Sequence, residues 1–300
     1  KLVLVGDPDQ LQPIGMGAIF RAFLDRIGFT ELYTIQRQVE EWQREATGHF
    51  AANRTQKAIE YYEQHNCVSF TDTVALSMQV LIQDWAAALK TSPLPDNLIL
   101  AYQNVDVAAL NTLAREELVS QKILLNSVTT HNETTEMKIS VGERILFLEN
   151  SWRYNVKNGQ RATIVEIETD AQKNVIAIKA LLDGKKKKVV RFEPKRYKKF
   201  AYGYAVTVHR AQGVTVNHSF VLALGHWTKN LCYVAMTRHR FTALLYGNKE
   251  THQSIEGLKK ALSKWGIKDS VLDYPLAFAR RRGIDVESIA AQFQKHVISK

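Results

Sequence analysis

The chain has 300 residues, of which 45% are hydrophobic and 23% are charged, a composition typical of folded globular proteins. Its two cysteines, Cys67 and Cys232, exclude a disulfide framework and a four-cysteine zinc site, and they fit a reducing cytoplasm. The absence of any run of about 18 apolar residues excludes a membrane-spanning helix, and residues 1–6 do not have the pattern of a signal peptide. The net charge of +10 favours a polyanionic partner, although a solvated basic surface explains that charge equally well.

The first 138 residues alternate between short apolar runs and stretches with helical spacing, which predicts an α/β fold. Residues 2–5 form a continuous apolar run ended by Gly6, the pattern of a parallel strand buried on both faces. Residues 31–35 predict a second strand that leads into Arg37. The other predicted elements of this region are helices at 16–27, 39–50, 55–65, 74–89 and 105–120, and strands at 68–70 and 98–102.

From residue 139 to residue 203 the pattern changes to short β-type runs. Turn signals such as Asn158-Gly159 and Asp183-Gly184 separate these runs, which predicts a small β-barrel inserted into the α/β domain. The alternation of strands and helices resumes at Tyr204, with predicted strands at 219–224 and 242–246 and a predicted helix at 230–237. The last residues, 251–300, are predicted to form a charged helical extension.

Two short segments near the start carry groups suited to phosphate chemistry. Gln10 lies in a polar loop directly after the first predicted strand, and its amide can donate to a phosphate oxygen and accept from an attacking water. By itself, the loop favours a plain Asp-Pro turn. Arg37 follows the predicted strand at 31–35, and a guanidinium there can stabilise charge on a transferring phosphate, although a lone arginine at a strand end is usually a surface residue.

Two further segments lie in the second half of the chain. In the segment 204–213, Thr207 can cap a short helical turn, His209 adds a donor or cation, and Gly213 permits close backbone approach. A lone histidine is more often structural, but these neighbours favour a functional one. In the segment 233–240, Arg238 lies at the end of a predicted helix, where it is either a cation favoured by the helix dipole or an arginine finger that reaches a γ-phosphate.

Taken together, the order and spacing of the four segments resemble motifs III, IV, V and VI of superfamily 1 helicases, in the RecD-like branch. Within that branch the chain is similar to the TraA-type conjugative relaxase-helicases over essentially its whole length. The similarity is carried by the runs QLQPI at 10–14, FLEN at 147–150, VKNG at 156–159, LDY at 272–274 and FARRRGI at 278–284.

The resemblance implies a RecA-like P-loop NTPase second lobe, with a parallel sheet flanked by helices, an inserted SH3-like β-barrel and a C-terminal helical extension. Residues 1–36 would end the first lobe, 37–138 and 204–250 would form the second lobe, 139–203 the barrel and 251–300 the extension. The parent activity would be ATP-driven 5′→3′ translocation on single-stranded DNA in the bacterial cytoplasm, with the remainder of the helicase polypeptide as the other partner.

The resemblance also implies residue roles. Gln10, Arg37 and Arg238 would be catalytic, and with Gln212 and Gly213 they would face the nucleotide. Thr207 and His209 would contact the DNA backbone, together with Arg240. No protein metal ligand is expected in this chain. Asn111 matches an asparagine common in the family, and sequence reasoning does not separate a DNA contact from a packing role there.

The chain departs from the family in one respect. No G-x-x-x-x-G-K followed by Ser or Thr, the loop that cradles a triphosphate, occurs in it, and neither does the acidic strand end that holds Mg²⁺. ATP and Mg²⁺ would therefore need an upstream lobe, and the chain by itself would be inactive. The alternatives are a non-catalytic single-stranded DNA-binding fragment and a RecD-type repair helicase.

A basic segment lies in the predicted barrel. Nine lysines and arginines lie between Lys185 and Lys199, and Glu193 is the only acidic residue among them. An edge-protecting lysine cluster explains the four consecutive lysines at 185–188 as well as DNA binding does. The last part leads into the segment with Thr207 and His209, so four residues are predicted to face DNA: Lys195, Arg196, Lys198 and Lys199.

Overall fold

The computed structural model describes residues 3–11, 20, 23–24, 27–32, 34–184 and 187–266. The chain divides into two compact units, residues 35–264 and residues 1–34 with 265–300. The larger unit contains a parallel sheet with its helices and an antiparallel insertion. Three predicted segments fall largely on other residues. The lysines at 185–186 lie outside the described residues, and so does most of the predicted helix at 16–27 and most of the predicted extension at 251–300.

A five-stranded parallel sheet forms the centre of the larger unit, as the alternating pattern predicts. Its strands are β1 (Val68–Thr71), β2 (Asn97–Ala101), β10 (Ala205–Thr207), β11 (Val216–Leu222) and β12 (His239–Asn248), in the order β1-β12-β11-β2-β10. The residues of β2 are all buried, because helices cover both faces of a parallel sheet.

Seven helices belong to this unit. They are α1 (Glu41–Ala51), α2 (Thr55–Gln64), α3 (Val74–Ala88), α4 (Asn104–Ser120), α5 (Lys229–Met236), α6 (Lys249–His252) and α7 (Ile255–Leu262), with a short 3-10 turn at Leu94–Asp96. Thr73 and Thr228 cap the N-terminal ends of α3 and α5, because their side chains accept from backbone N–H groups of the first turn. One core cluster joins α3, α4 and the sheet through Trp85, Leu110, Tyr204, Leu222 and Tyr246.

The insertion is an antiparallel sheet with the strand order β8-β7-β6-β5-β9. Its strands are β5 (Arg144–Phe147), β6 (Arg161–Thr169), β7 (Val175–Leu182), β8 (Lys188–Phe192) and β9 (Phe200–Tyr202), and a hairpin of β3 (Val128–His131) and β4 (Glu136–Ile139) precedes them. The antiparallel region therefore begins at Val128, before the predicted start at residue 139. The polar residues Thr129, Thr130, Asn132 and Glu133 hide the strand pattern of the first hairpin.

The chain returns from the insertion to the parallel sheet through a close backbone approach at Gly203. The Gly203 N–H donates to the carbonyl of Arg144 at 2.9 Å, and a Cβ at Gly203 would lie 2.8 Å from the backbone of Ile145. Only glycine fits this approach. Next to it, the Tyr204 hydroxyl donates to the buried Glu143 carboxylate, and the Arg115 Nε of α4 donates to the same carboxylate at 3.2 Å. This network fixes where the insertion joins the parallel sheet.

Three predictions differ from the structure. Residues 3–5 and the described residues at 31–35 are not in strands, and Val3 and Val5 are 72% and 90% exposed. A strand needs backbone partners, and no described residue supplies a ladder to either segment. Helices α6 and α7, predicted as part of a separate extension, belong to the larger unit, where Leu258 and Leu262 are fully buried. No helix within the described ranges has the length and apolar character needed to span a bilayer.

Candidate functional site

The carboxyl ends of the central strands bring three loops to one edge of the parallel sheet. Tyr102 follows β2, His209 follows β10 and Gly225 follows β11. The rings of Tyr102 and His209 lie 6.4 Å apart, and a Cβ at Gly225 would lie 2.8 Å from the Gln103 amide nitrogen. Ligands of α/β sheets bind at such an edge, so its polar groups are candidates for substrate contact.

The segment after β10 forms the predicted short turn. The Thr207 hydroxyl accepts from the Arg210 N–H at 3.4 Å, and the Thr207 carbonyl accepts from the Ala211 N–H at 3.1 Å, which confirms the predicted cap. Val208 and Ala211 are fully buried and anchor the turn, whereas His209 and Arg210 are exposed. This arrangement presents an imidazole and a guanidinium to solvent from a fixed backbone.

Gln212 and Gly213 leave this turn toward the opposite edge of the sheet. The Gln212 N–H donates to the His209 carbonyl at 3.3 Å, and Gly213 adopts φ +83°, a conformation that favours glycine. The chain then reaches Thr215, directly before β11 begins. The segment from Thr207 to Thr215 therefore runs from the carboxyl edge of the sheet to the amino edge.

Arg37 and Arg238 meet at this amino edge, around the C-terminal end of α5. Arg37 Nε donates to the Thr215 hydroxyl at 3.1 Å, and its Nη1 donates to the Thr237 carbonyl. Arg238 is buried, with Nε 2.8 Å from the Val234 carbonyl and Nη2 3.1 Å from the Thr237 hydroxyl. Burial lowers the pKa of Arg37, and no carboxylate of the described residues lies within 4.0 Å of it. An anion would therefore be stabilised here.

The structure separates Arg240 from Thr207 and His209, with which it was grouped. Because β11 and β12 run parallel with Val216 opposite His239, Arg240 lies near the amino ends of the strands, beside Arg37 and Arg238. Thr207 pairs with Ala101 of β2, and the pairing of β2 with β11 and of β11 with β12 places Tyr246 at the same height in the sheet. Residues 240 and 246 both lie on β12, so at ~3.3 Å per residue the levels of Arg240 and Thr207 are about 20 Å apart along the strands.

Gln10 belongs to the smaller unit, where its side chain is used within its own loop. Its Nε2 donates to the Asp7 carboxylate at 3.0 Å, and the Asp9 N–H donates to the same carboxylate at 3.0 Å. These bonds give residues 7–10 the predicted turn and hold the Gln10 amide in one orientation.

The four basic residues predicted to face DNA divide into two pairs. Lys199 Nζ contacts the Glu133 carboxylate and lies 3.9 Å from Glu149, and Arg196 Nε lies 3.0 Å from Glu193. The pKa of Lys199 is raised by its hydrogen bond to Glu133. Folding therefore adds Glu133 and Glu149 to Glu193, the one acidic residue within the segment.

Lys195 and Lys198 have no carboxylate of the described residues within 4.0 Å, and they line an open groove. The groove has a volume of about 700 Å³ and is mostly lined by polar side chains. Its basic lining residues are His131, Lys173, Lys195 and Lys198. Lys195 and Lys198 therefore remain available to an anionic ligand, whereas His131 lies 3.8 Å from the Glu136 carboxylate.

Asn111 is a positioning residue that sequence reasoning left without a role. Its Oδ1 accepts from the N–H groups of Tyr204 and Ala205 at 3.0 Å, and its Nδ2 donates to the Ala205 carbonyl at 3.0 Å. The side chain thus fixes the start of β10 and, through it, Thr207. The available signal was an asparagine on the buried face of α4 between Leu110 and Ala114, where a polar side chain needs partners.

The amino-edge cluster suits a polyphosphate, because it combines two guanidinium groups with no neutralising carboxylate on Arg37. A metal ion would need a different group of side chains, with carboxylate, imidazole or thiolate donor atoms. Within the described ranges, no three His, Cys, Asp or Glu side chains come together as metal ligands. These residues therefore assign no ligand to Mg²⁺, whose preferred ligands are oxygens.

Comparison with known proteins gives sequence relatives over nearly the whole chain. A family model described as an AAA domain matches residues 1–73. The conjugal transfer protein TraA of Agrobacterium fabrum and the probable TraA of Sinorhizobium fredii are each 37% identical over 298 residues, covering 97% of this chain. The chain spans 26% of the length of these relatives.

Solved helicase structures align with much of the chain at low sequence identity. A Pif1 helicase from Bacteroides, in complex with ADP-AlF3 and single-stranded DNA, aligns with 79% of this chain and 60% of its own, at 17% identity and a TM-score of 0.49. The Pif1 helicase of Candida albicans aligns with 70% of this chain and 55% of its own, at 14% identity and a TM-score of 0.42. The assignment rests on the TraA relatives: over nearly its whole length the chain is homologous to one region of the TraA conjugal transfer proteins, as its motifs predict.

Proposed function

We propose that the chain is the C-terminal motor part of an ATP-dependent 5′→3′ DNA helicase in a conjugative relaxase. In this proposal the parallel sheet and its helices are the second RecA-like lobe, and the antiparallel insertion is an SH3-like barrel. The homology to TraA proteins and the arrangement of the predicted motif residues support this function.

One observation carries the proposal. A single segment, from Thr207 to Thr215, runs from one edge of the sheet to the other, and Arg37 binds both its end and the α5 terminus that carries Arg238. Such a segment can transmit a change at a nucleotide to a DNA contact about 20 Å away. An ATP-driven translocase requires coupling between these two sites, and the continuous segment supports the proposal.

The proposal assigns the residues at each edge. At the amino edge, Arg37 and Arg238 stabilise the phosphates of ATP, with Gln212 and Gly213 also facing the nucleotide, and Mg²⁺ is held by ligands elsewhere in the parent protein. Gln10, in the smaller unit, is proposed as a nucleotide contact from its sequence motif alone. At the carboxyl edge, Thr207 and His209 hold the backbone of single-stranded DNA. Arg240 lies with the amino-edge group, so a DNA contact by Arg240 is not part of the proposal.

The experiment measures the affinity of the 300-residue chain for a fluorescent oligothymidylate by anisotropy. His209→Ala should weaken binding roughly tenfold, because it removes a hydrogen bond to a charged group. The matched control is His65→Ala, which removes an exposed imidazole at the end of α2. No binding by the unsubstituted chain, or equal losses in both variants, would contradict the proposed DNA contact.

A further inference from the structure

We propose that Trp152 is a stacking platform for an unpaired base of single-stranded DNA. Trp152 lies at the tip of the loop between β5 and β6, called here the Trp152 loop (residues 148–160). The inference rests on the proposed function, because it names a further contact for the same single strand. It adds a base-stacking site to an interaction otherwise made with the DNA backbone.

The exposure of Trp152 is the first observation. Its side chain is 99% exposed, whereas Trp85 and Trp227 are buried and Trp42 stacks on His65 with ring centroids 4.0 Å apart. A tryptophan with no packing contacts leaves a large, rigid apolar surface in water, and such a ring can stack on a partner. Its removal should therefore leave the stability of the fold unchanged.

Hydrogen bonds hold the backbone of the Trp152 loop in a defined conformation. Ser151 and Val156 exchange two backbone hydrogen bonds of 2.9 and 3.1 Å, and Asn155 closes the turn with φ +53°. Asn150 Oδ1 accepts from the Asn158 N–H at 2.8 Å. A preorganised loop lowers the entropy cost of binding, because fewer torsions are fixed when the ligand arrives.

An aromatic cluster anchors the loop to the insertion. The Tyr154 ring lies 6.4 Å from the Phe192 ring and 5.8 Å from the Tyr197 ring. Tyr197 also donates its hydroxyl to the Glu149 carbonyl at 2.7 Å, and the Leu148 N–H donates to the Lys199 carbonyl at 2.8 Å. The base of the Trp152 loop is therefore bonded directly to the basic segment 195–199.

The charge around the ring selects the ligand. Arg153 and Lys157 are exposed, no carboxylate of the described residues lies within 4.0 Å of either, and Arg153 lies 5.7 Å from the Tyr154 ring centroid. The other exposed residues of the loop are polar: Asn150, Asn155 and Asn158 are neutral, and the loop's one carboxylate, Glu149, lies 3.9 Å from Lys199. One aromatic ring among cations and amides is too small an apolar area for a protein interface, but it matches the combination of stacking rings and cations that binds single-stranded nucleic acid.

The test compares Trp152→Ala, Trp152→Phe and the control Phe241→Ala, which removes an exposed ring on β12. Binding of the 300-residue chain to an oligothymidylate should fall roughly tenfold for Trp152→Ala and by less than about threefold for Trp152→Phe, because phenylalanine keeps a stacking face. Phe241→Ala should leave affinity unchanged. Circular dichroism should give the same unfolding midpoint for both Trp152 variants and the unsubstituted chain.

A second arm uses the same strand with its bases removed. On this abasic strand, Trp152→Ala should cost no affinity, whereas Arg153→Gln should lower the salt dependence of binding on both strands. An equal loss for Trp152→Ala on both strands would overturn stacking. If the unsubstituted chain binds neither strand, the proposed function is contradicted. If it binds and Trp152→Ala has the same affinity, only the stacking site is contradicted. The proposal would also be overturned if Trp152→Ala lost binding to anionic lipid vesicles while its affinity for DNA stayed unchanged.

Discussion

Arg37 donates a hydrogen bond to the carbonyl oxygen of Thr237, 200 residues later in the chain and directly before Arg238. The same guanidinium holds Thr215 at the start of β11. Since Gln38 also donates to the carbonyl of His239 at 3.1 Å, the segment after residue 36 is bonded along the whole end of α5. Two motifs that are distant in sequence thus form one cationic cluster.

The buried amide of Asn111 should be required for stability. Asn111→Leu removes three hydrogen bonds and leaves buried backbone groups of Tyr204 and Ala205 unpaired, which should lower the free energy of unfolding by ~2–4 kcal/mol. Thr112→Ala, an exposed change on the same helix, should alter it by less than about 0.5 kcal/mol. Urea unfolding measures both values, and an equal effect of the two variants would contradict the positioning role.

His239 should make the fold sensitive to acid. Burial, with a smaller contribution from Arg37, lowers the pKa of His239 to about 3, while an unfolded histidine titrates near 6.5. The neutral imidazole therefore contributes stability that is complete above about pH 6.5 and is lost as the pH falls toward about 3, at up to ~1.4 kcal/mol per pH unit.

The measurement is urea unfolding at pH 7 and pH 5. The free energy of unfolding of the unsubstituted chain should fall between pH 7 and pH 5. In His239→Asn that fall should be smaller by about 2 kcal/mol. His131→Asn, whose ring is 70% exposed, should behave as the unsubstituted chain. An unchanged pH dependence in His239→Asn would show that another group causes the acid sensitivity.

The two pairs of basic residues should differ in their effect on DNA binding. Lys195→Gln with Lys198→Gln removes two cations without carboxylate partners and should lower the salt slope of single-strand binding by about 1.4. Arg196→Gln with Lys199→Gln should lower it by less than half as much, because Glu193 and Glu133 already neutralise those cations. Equal slopes for the two double variants would rule out this distinction.

The 300-residue chain should bind single-stranded DNA without hydrolysing ATP. It contains no G-x-x-x-x-G-K loop, so the β- and γ-phosphates lack their principal backbone ligands. A phosphate-release assay with DNA should give a rate no higher than a heat-denatured control. DNA-stimulated turnover above that control, in pure protein, would contradict this expectation.

Much of the fold could be predicted from sequence, because its elements carry strong local patterns. The apolar run of β2 and the helical spacing of α4 predicted both elements to within one or two residues. The segments at 3–5 and 31–35 have the composition of strands, but strands form only where partners lie alongside. The first hairpin, β3 and β4, was missed because the buried position of β3 is the polar Thr130, so that strand lacks the alternation of apolar and polar residues.

The site was predicted less completely, because several of its features depend on contacts between distant residues. The motif order proposed Thr207, His209 and Arg238 as site residues, whereas only the register of β11 and β12 shows that Arg240 lies at the other edge of the sheet from Thr207. The pairing of Lys199 with Glu133 depends on how the hairpin packs. Trp152 shows no helical or strand pattern, and its significance comes from an exposure that sequence alone does not give.

The most direct test of the helicase assignment replaces Arg238 in a full-length TraA-type protein that carries this chain, and measures kcat and DNA affinity together. Arg238→Ala should lower kcat for ATP hydrolysis by roughly 10³–10⁵ with little change in DNA affinity, as for arginine fingers of other NTPases. Arg238→Lys should restore little, because lysine lacks the planar fork that bonds Val234 and Thr237. An intact kcat with weakened DNA binding would contradict the assignment.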